Sequence, residues 1–80
     1  MKSDEPAETL DTVGLFCPQP LFQTREAMDR LRSGQILEVL ADDPAAEEDL
    51  KRFVKRTQNE LVSFEKMSDG VMKFLIRKKR

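Results

Sequence analysis

Gly14-Leu15-Phe16-Cys17-Pro18-Gln19-Pro20-Leu21 reads as the junction between a strand and a helix. Gly14 ends a short strand predicted over Thr9 to Val13, and the first helix is expected to start at Cys17 or Pro18. Proline suits that position because the first-turn N–H groups of a helix have no intrahelical partner to lose. Leu21, Thr24, Met28 and Leu31 then recur at helical spacing, while Arg25, Glu26, Asp29 and Arg32 point to water. Gly34 is the expected left-handed residue that stops this helix.

Working outward from the junction, Gln35 to Ala41 reads as a strand with Leu37, Val39 and Ala41 on one face. Asp42-Asp43-Pro44 repeats the helix-start logic, with Asp43 as N-cap and Glu47, Glu48 and Asp49 near the positive end of the dipole. Ala46, Leu50, Phe53, Val54 and Thr57 form the buried stripe of this second helix, and Asn59 is expected to take the left-handed position after it. Leu61 to Met67 and Val71 to Arg77 alternate around Ser68-Asp69-Gly70, a hairpin turn signal, with Val62, Phe64, Met72, Phe74 and Ile76 facing inward. The order is β-α-β-α-β-β. Right-handed crossovers place both helices on one face of a four-stranded mixed sheet, a two-layer α/β sandwich of the α+β kind. Residues 1–8 are charged and aperiodic and are expected to be a disordered leader, which leaves residues 9–80 as a single domain.

The open sheet face would carry Ile36, Leu40, Leu61, Val71 and Leu75 by strand alternation, a contiguous group that would suit a partner or a second copy. On that reading the chain is a monomer or a weak homodimer.

Composition narrows the chemistry to one side chain. Cys17 is the only cysteine among 80 residues, and histidine, tyrosine and tryptophan are absent. No Ser-His or Cys-His pair can be assembled within one chain, and one thiolate cannot make a Cys/His zinc site, so no metal or other cofactor is expected. Fourteen basic against fifteen acidic residues give a net charge of −1, which argues against direct nucleic-acid binding and against a membrane-surface role. No internal disulfide is possible, no apolar run is long enough to span a bilayer, and the cytoplasm is the simplest location. Any covalent chemistry falls to Cys17. Its place before a proline-opened helix predicts a thiol lowered moderately in pKa by the helix N-terminus, because Pro18 and Pro20 donate no N–H and only Gln19 and Leu21 remain as donors.

Leu10-Asp11-x-x-Gly14-Leu15-x-Cys17-Pro18-x-Pro20, followed by Gly34 before a strand and Asp42-Asp43-Pro44 before a second helix, resembles the TusA family, also called SirA-like. The resemblance runs from about Leu10 to Lys78, and the Cys-Pro-x-Pro element is its specific part. It implies a sulfurtransferase that carries sulfur as a persulfide on Cys17, with Gly14, Pro18, Gln19 and Pro20 as the supporting motif. It also implies protein partners: a sulfur donor such as a cysteine desulfurase and a downstream acceptor, in tRNA thiolation or in molybdenum-cofactor, sulfur-oxidation or selenium pathways. Gln19 stands where the family often has glutamate, and losing that carboxylate should favour a thiolate. Asn59 stands where many relatives have glycine.

The remaining charged groups divide into structural and functional readings. Asp42 and Asp43 read as cap and dipole partners, and Asp11 belongs to the motif without a chemical role of its own. Lys51, Arg52, Lys55 and Arg56 read as a solvated basic helix face and Arg77-Lys78-Lys79-Arg80 as a solubilising tail with edge-strand charge, and either group could dock an acidic partner or an RNA backbone. The alternative function is a binding or regulatory module of the same fold in which Cys17 is only structural.

Overall fold

A computed structural model describes residues 5–79. Its elements are β1 (Pro6–Asp11), α1 (Gln19–Arg30), β2 (Ile36–Ala41), α2 (Pro44–Arg56), β3 (Glu60–Lys66) and β4 (Met72–Arg77). The sheet order is β1-β2-β4-β3, with β1 parallel to β2 and β4 antiparallel to both of its neighbours. This is the expected β-α-β-α-β-β chain with a four-stranded mixed sheet.

Cross-strand pairs Leu37–Ile76, Val39–Phe74 and Ala41–Met72 turn one face of the two central strands into an apolar floor. Ala27, Met28 and Leu31 of the α1 region and Ala46, Leu50, Phe53 and Val54 of α2 close over it in one core, so both helices lie on the same face. Non-directional burial of this kind is the main favourable term in folding. Asp43 caps α2 through its carboxylate, which accepts from the Ala45 N–H at 3.2 Å, and Pro44 follows in the first turn. Gly70, at φ +89°, and Asp69, whose Oδ1 accepts from the Val71 N–H, close the 68–70 turn.

Several local expectations give way to longer-range pairing. The first strand begins at Pro6 rather than Thr9, so Pro6, Ala7 and Glu8 belong to the sheet and not to a leader. Proline is tolerated there because β1 is an edge strand and Pro6 opens it. The part of the proposed leader over residues 1–4 lies outside the described residues. α1 starts at Gln19, with Pro18 as its N-cap, and it ends before Leu31, whose backbone is already extended. Gly34 is left-handed at φ +93°, but in the turn into β2 rather than as a helix cap. At the end of α2 the left-handed residue is Gln58, φ +62°, not Asn59. The Gln58 and Asn59 N–H groups donate to the carbonyls of Lys55 and Val54 in a Schellman arrangement.

The open face also differs from the alternation pattern. A register shift between Leu61 and Ser63 makes Val62 the extra residue, so Leu61 and not Val62 joins Phe64 against the core. Ile36 is buried, 1% exposed. Leu40, Val71 and Leu75 are only half-buried, and Lys73 lies among them between Glu38 and Glu65, at 3.9 and 3.7 Å. The continuous five-residue apolar group therefore does not exist. The basic tail is not all solvated either: Lys78 Nζ donates to the carbonyls of Met28 and Leu31 at 2.8 and 2.9 Å, capping the end of α1. Arg80 lies outside the described residues.

Candidate functional site

The loop from Thr12 to Pro18 is held at several points before Cys17 is reached. Thr12 is fully buried, and both its N–H and its hydroxyl donate to the Leu40 carbonyl. Asp11 Oδ1 accepts from the Val13 N–H at 3.0 Å, an Asx-type turn that gives the motif aspartate a structural task. Gly14, at φ +91°, turns the chain, and its N–H donates to Asp42 Oδ1 at 2.9 Å. Asp43 then divides its carboxylate: Oδ1 caps α2, and Oδ2 accepts from the Cys17 N–H at 2.6 Å. The aspartates read as helix-start residues thus also clamp the cysteine loop. Removing the carboxylate by Asp43→Ala should cost about 0.5–2 kcal/mol for the lost cap, and Asp43→Asn less, although its single acceptor oxygen can serve the Ala45 N–H or the Cys17 N–H but not both. Urea unfolding of the two variants measures the difference.

Cys17 is exposed, and its thiol donates to Asp49 Oδ2 at 3.0 Å. It sits one residue before the α1 N-cap, outside the first turn, and the Cys17–Pro18 peptide is cis. Gln19 opens the helix with its N–H donated to the Phe16 carbonyl at 2.9 Å, and Pro20 is buried beneath. This geometry overturns the expected lowering of the thiol. The Asp49 carboxylate, by accepting the S–H hydrogen, pushes the Cys17 pKa up, helped by desolvation and by the negative charges of Asp49 and Asp43. Asp49 was hidden in the sequence by its neighbours. Within the acidic run Glu47-Glu48-Asp49 only the fold tells which carboxylate meets the loop.

The basic face resolves into two kinds of residue. Lys51 bonds Glu47 at 2.9 Å and lies 4.2 Å from the centre of the Phe64 ring, so its charge is engaged on the β3 side. Arg52 stands 3.6 Å from Asp49 Oδ1, one link from the thiol, and 3.9 Å from Glu48. Lys55 and Arg56 are exposed and form no ion pair among the described residues. Lys51 hydrogen-bonds Glu47 and, with Lys66, holds its carboxyl below the usual glutamate range. Any stabilisation from this tie between α2 and β3 is therefore present above the unfolded glutamate pKa of about 4.3 and is lost as pH falls through the lower folded value.

Three of the four exposed large apolar side chains among the described residues flank Cys17 in the chain, the fourth being Met67. Phe16 is 75% exposed, Phe22 52% and Val13 43%, all within five residues of Cys17 in the chain. Neither helical nor strand periodicity marks them in the sequence. An aromatic beside a reactive-residue motif, outside any helical stripe, was the available signal.

Comparison with known proteins agrees with the motif. The family model described as sulfurtransferase TusA matches residues 8–78. A protein of Archaeoglobus fulgidus is 50% identical over 68 residues, covering 85% of this chain and 88% of that one. YrkI of Bacillus subtilis is 44% identical over 79 residues, covering 98% and 99%. Sulfur carrier protein TusA of Allochromatium vinosum is 39% identical over 71 residues, covering 89% and 92%. In fold, the chain is similar to the crystal structure of the SirA-like protein of Desulfitobacterium hafniense, with a TM-score of 0.81 at 20% identity over 91% of this chain and 99% of that one. With the family model spanning nearly all the described residues and the Cys-Pro-x-Pro loop in place, the chain belongs to the TusA sulfurtransferase family.

Proposed function

We propose that this protein is a sulfur carrier that holds one sulfur atom as a persulfide on Cys17 and passes it between protein partners. The observation that carries the reading is the single thiol of the chain, presented to solvent on a loop clamped by Asp42 and Asp43. Its relative in Allochromatium vinosum bears the name of a sulfur carrier. In the loading step the Cys17 sulfur attacks the outer sulfur of a donor persulfide. The donor S–S bond breaks, the donor leaves as a thiol, and a new S–S bond stands on Cys17. Sulfane sulfur and protons balance, so no oxidant is required. A cysteine desulfurase fits the donor role. The acceptor is a second protein or its bound substrate, and the cytoplasm is the proposed setting.

Incubation with a cysteine desulfurase and free cysteine, followed by intact mass measurement, tests the reading. The expected result is a gain of one sulfur atom that reduction removes. A chain that never gains sulfur while Cys17 alkylates freely would leave the fold as a binding or regulatory module.

Partner docking is proposed to use the Val13, Phe16 and Phe22 side chains with the basic residues of α2. Within the candidate set Lys51, Arg52, Lys55 and Arg56, the last two have their charge uncommitted and should matter most for an acidic partner. Reversing both, Lys55→Glu with Arg56→Glu, should slow association and flatten its dependence on ionic strength. Lys51→Glu should do less to the rate, because Glu47 already neutralises that lysine. Association rates across a salt series settle the order.

A further inference from the structure

We propose that Asp49 is a positioning residue for sulfur transfer: its carboxylate holds the empty Cys17 as a thiol turned toward α2 and repels the anionic persulfide, so that the loaded sulfur turns away from α2. The inference rests on the carrier reading and adds to it a reason why empty and loaded forms differ in the presentation of Cys17.

The argument starts from three contacts. The thiol donates to Asp49 Oδ2 at 3.0 Å, the Cys17 N–H donates to Asp43 Oδ2 at 2.6 Å, and Arg52 stands 3.6 Å from Asp49 Oδ1. A thiol has a proton to give to a carboxylate, and a persulfide anion has none. Replacing S–H by S–S⁻ therefore exchanges a hydrogen bond for repulsion at the same spot, and Asp43 adds charge of the same sign. The charged groups facing this sulfur are Asp49 on α2 and Asp43 at its cap. Asp42 is occupied by the Gly14 N–H, and α1 has no acidic residue in its first turn. Arg52 acts in the opposite sense, because it draws off part of the Asp49 charge.

A persulfide is intrinsically more acidic than a thiol and is largely anionic at neutral pH. At neutral pH uptake can be written as Cys17–SH plus R–S–S⁻ giving Cys17–S–S⁻ plus R–SH, with atoms and charge balanced. Asp49 favours the left side of this exchange, since it stabilises the thiol and opposes the anion. The carrier is thereby biased toward giving sulfur up.

Two measurements on the full chain test this. Alkylation by iodoacetamide across pH should rise at lower pH in Asp49→Asn than in wild type and run several-fold faster at neutrality, while Arg52→Gln should shift the profile the opposite way. Loosening of the structure alone would speed both variants, so the opposed signs identify the electrostatic role. Equilibration with glutathione persulfide and glutathione at a fixed ratio, read by intact mass, should leave Asp49→Asn several-fold more loaded than wild type. An unchanged alkylation profile in Asp49→Asn, or an unchanged loaded fraction, overturns the proposal. If wild type takes up no sulfur at all, the carrier reading fails and the load-dependent part falls with it. The alkylation profile then still decides whether Asp49 holds the thiol.

Discussion

Cys17→Ser is expected to take up no sulfur from any donor and to unfold at nearly the same temperature as the parent chain. The first half follows from composition, because no second thiol exists to substitute. The second half follows from placement. Cys17 is exposed, its backbone N–H is what Asp43 grips, and serine retains that N–H. A serine hydroxyl can also donate to Asp49 as the thiol does. Helix capping does not enter, since Pro18 and not residue 17 occupies the cap of α1. The expected loss is therefore total in function and within about 0.5 kcal/mol in stability, as for a surface substitution that spares the special contacts. Intact mass after donor treatment and a thermal melt by circular dichroism check both halves. A variant that still gained sulfur would place the chemistry elsewhere than Cys17.

Phe74→Ala should give the largest stability loss of any single truncation considered. Phe74 is fully buried in β4, between β2 and β3, paired across to Val39 on one side and to Phe64 on the other. Its ring meets that of Phe64 at 5.0 Å between centroids, tilted by 50°. Truncation removes the transfer free energy of the ring and leaves a cavity between two strands that cannot collapse without breaking their ladder. The expected cost is about 3–5 kcal/mol. That is a large part of the roughly 5–15 kcal/mol available to a small domain, and it corresponds to a fall in Tm on the order of 15–30 °C. Phe22→Ala, at a half-exposed aromatic on α1, should move Tm little, which makes it the control. Equal melting of the two variants would mean that the core does not centre on β4.

Features carried by short-range chemistry were legible in the sequence. Asp43-Pro44 announced α2 because capping and proline geometry are decided within three residues, and Ser68-Asp69-Gly70 announced its turn for the same reason. The stripe Ala46, Leu50, Phe53 and Val54 emerged from periodicity alone. What stayed hidden depended on contacts between distant parts of the chain. Alternation placed Val62 inward, and only pairing with β4 reveals the extra residue that hands the position to Leu61. The charge of Lys78 looked like solubilising tail until the fold brought it to the end of α1, 50 residues away in sequence. The direction of the thiol shift failed in the same way. The sequence offered a helix end beside Cys17, whereas the controlling carboxylates come from α2. Cys17 stood out as the candidate reactive residue because composition left no competitor.

The order β1-β2-β4-β3 has a bearing on how the chain is made. The strand latest in chain order is inserted between β2 and β3, so those two share no ladder until residues 72–77 have emerged from synthesis. A nascent chain ending at the hairpin turn could at best pair β1 with β2, and both that pair and β3 would be left with unpaired edges. Vectorial folding, in which an N-terminal portion settles before the rest exists, is therefore denied to this topology. The domain must wait and close in one cooperative event, and truncation ahead of β4 should leave an aggregation-prone chain rather than a smaller stable one.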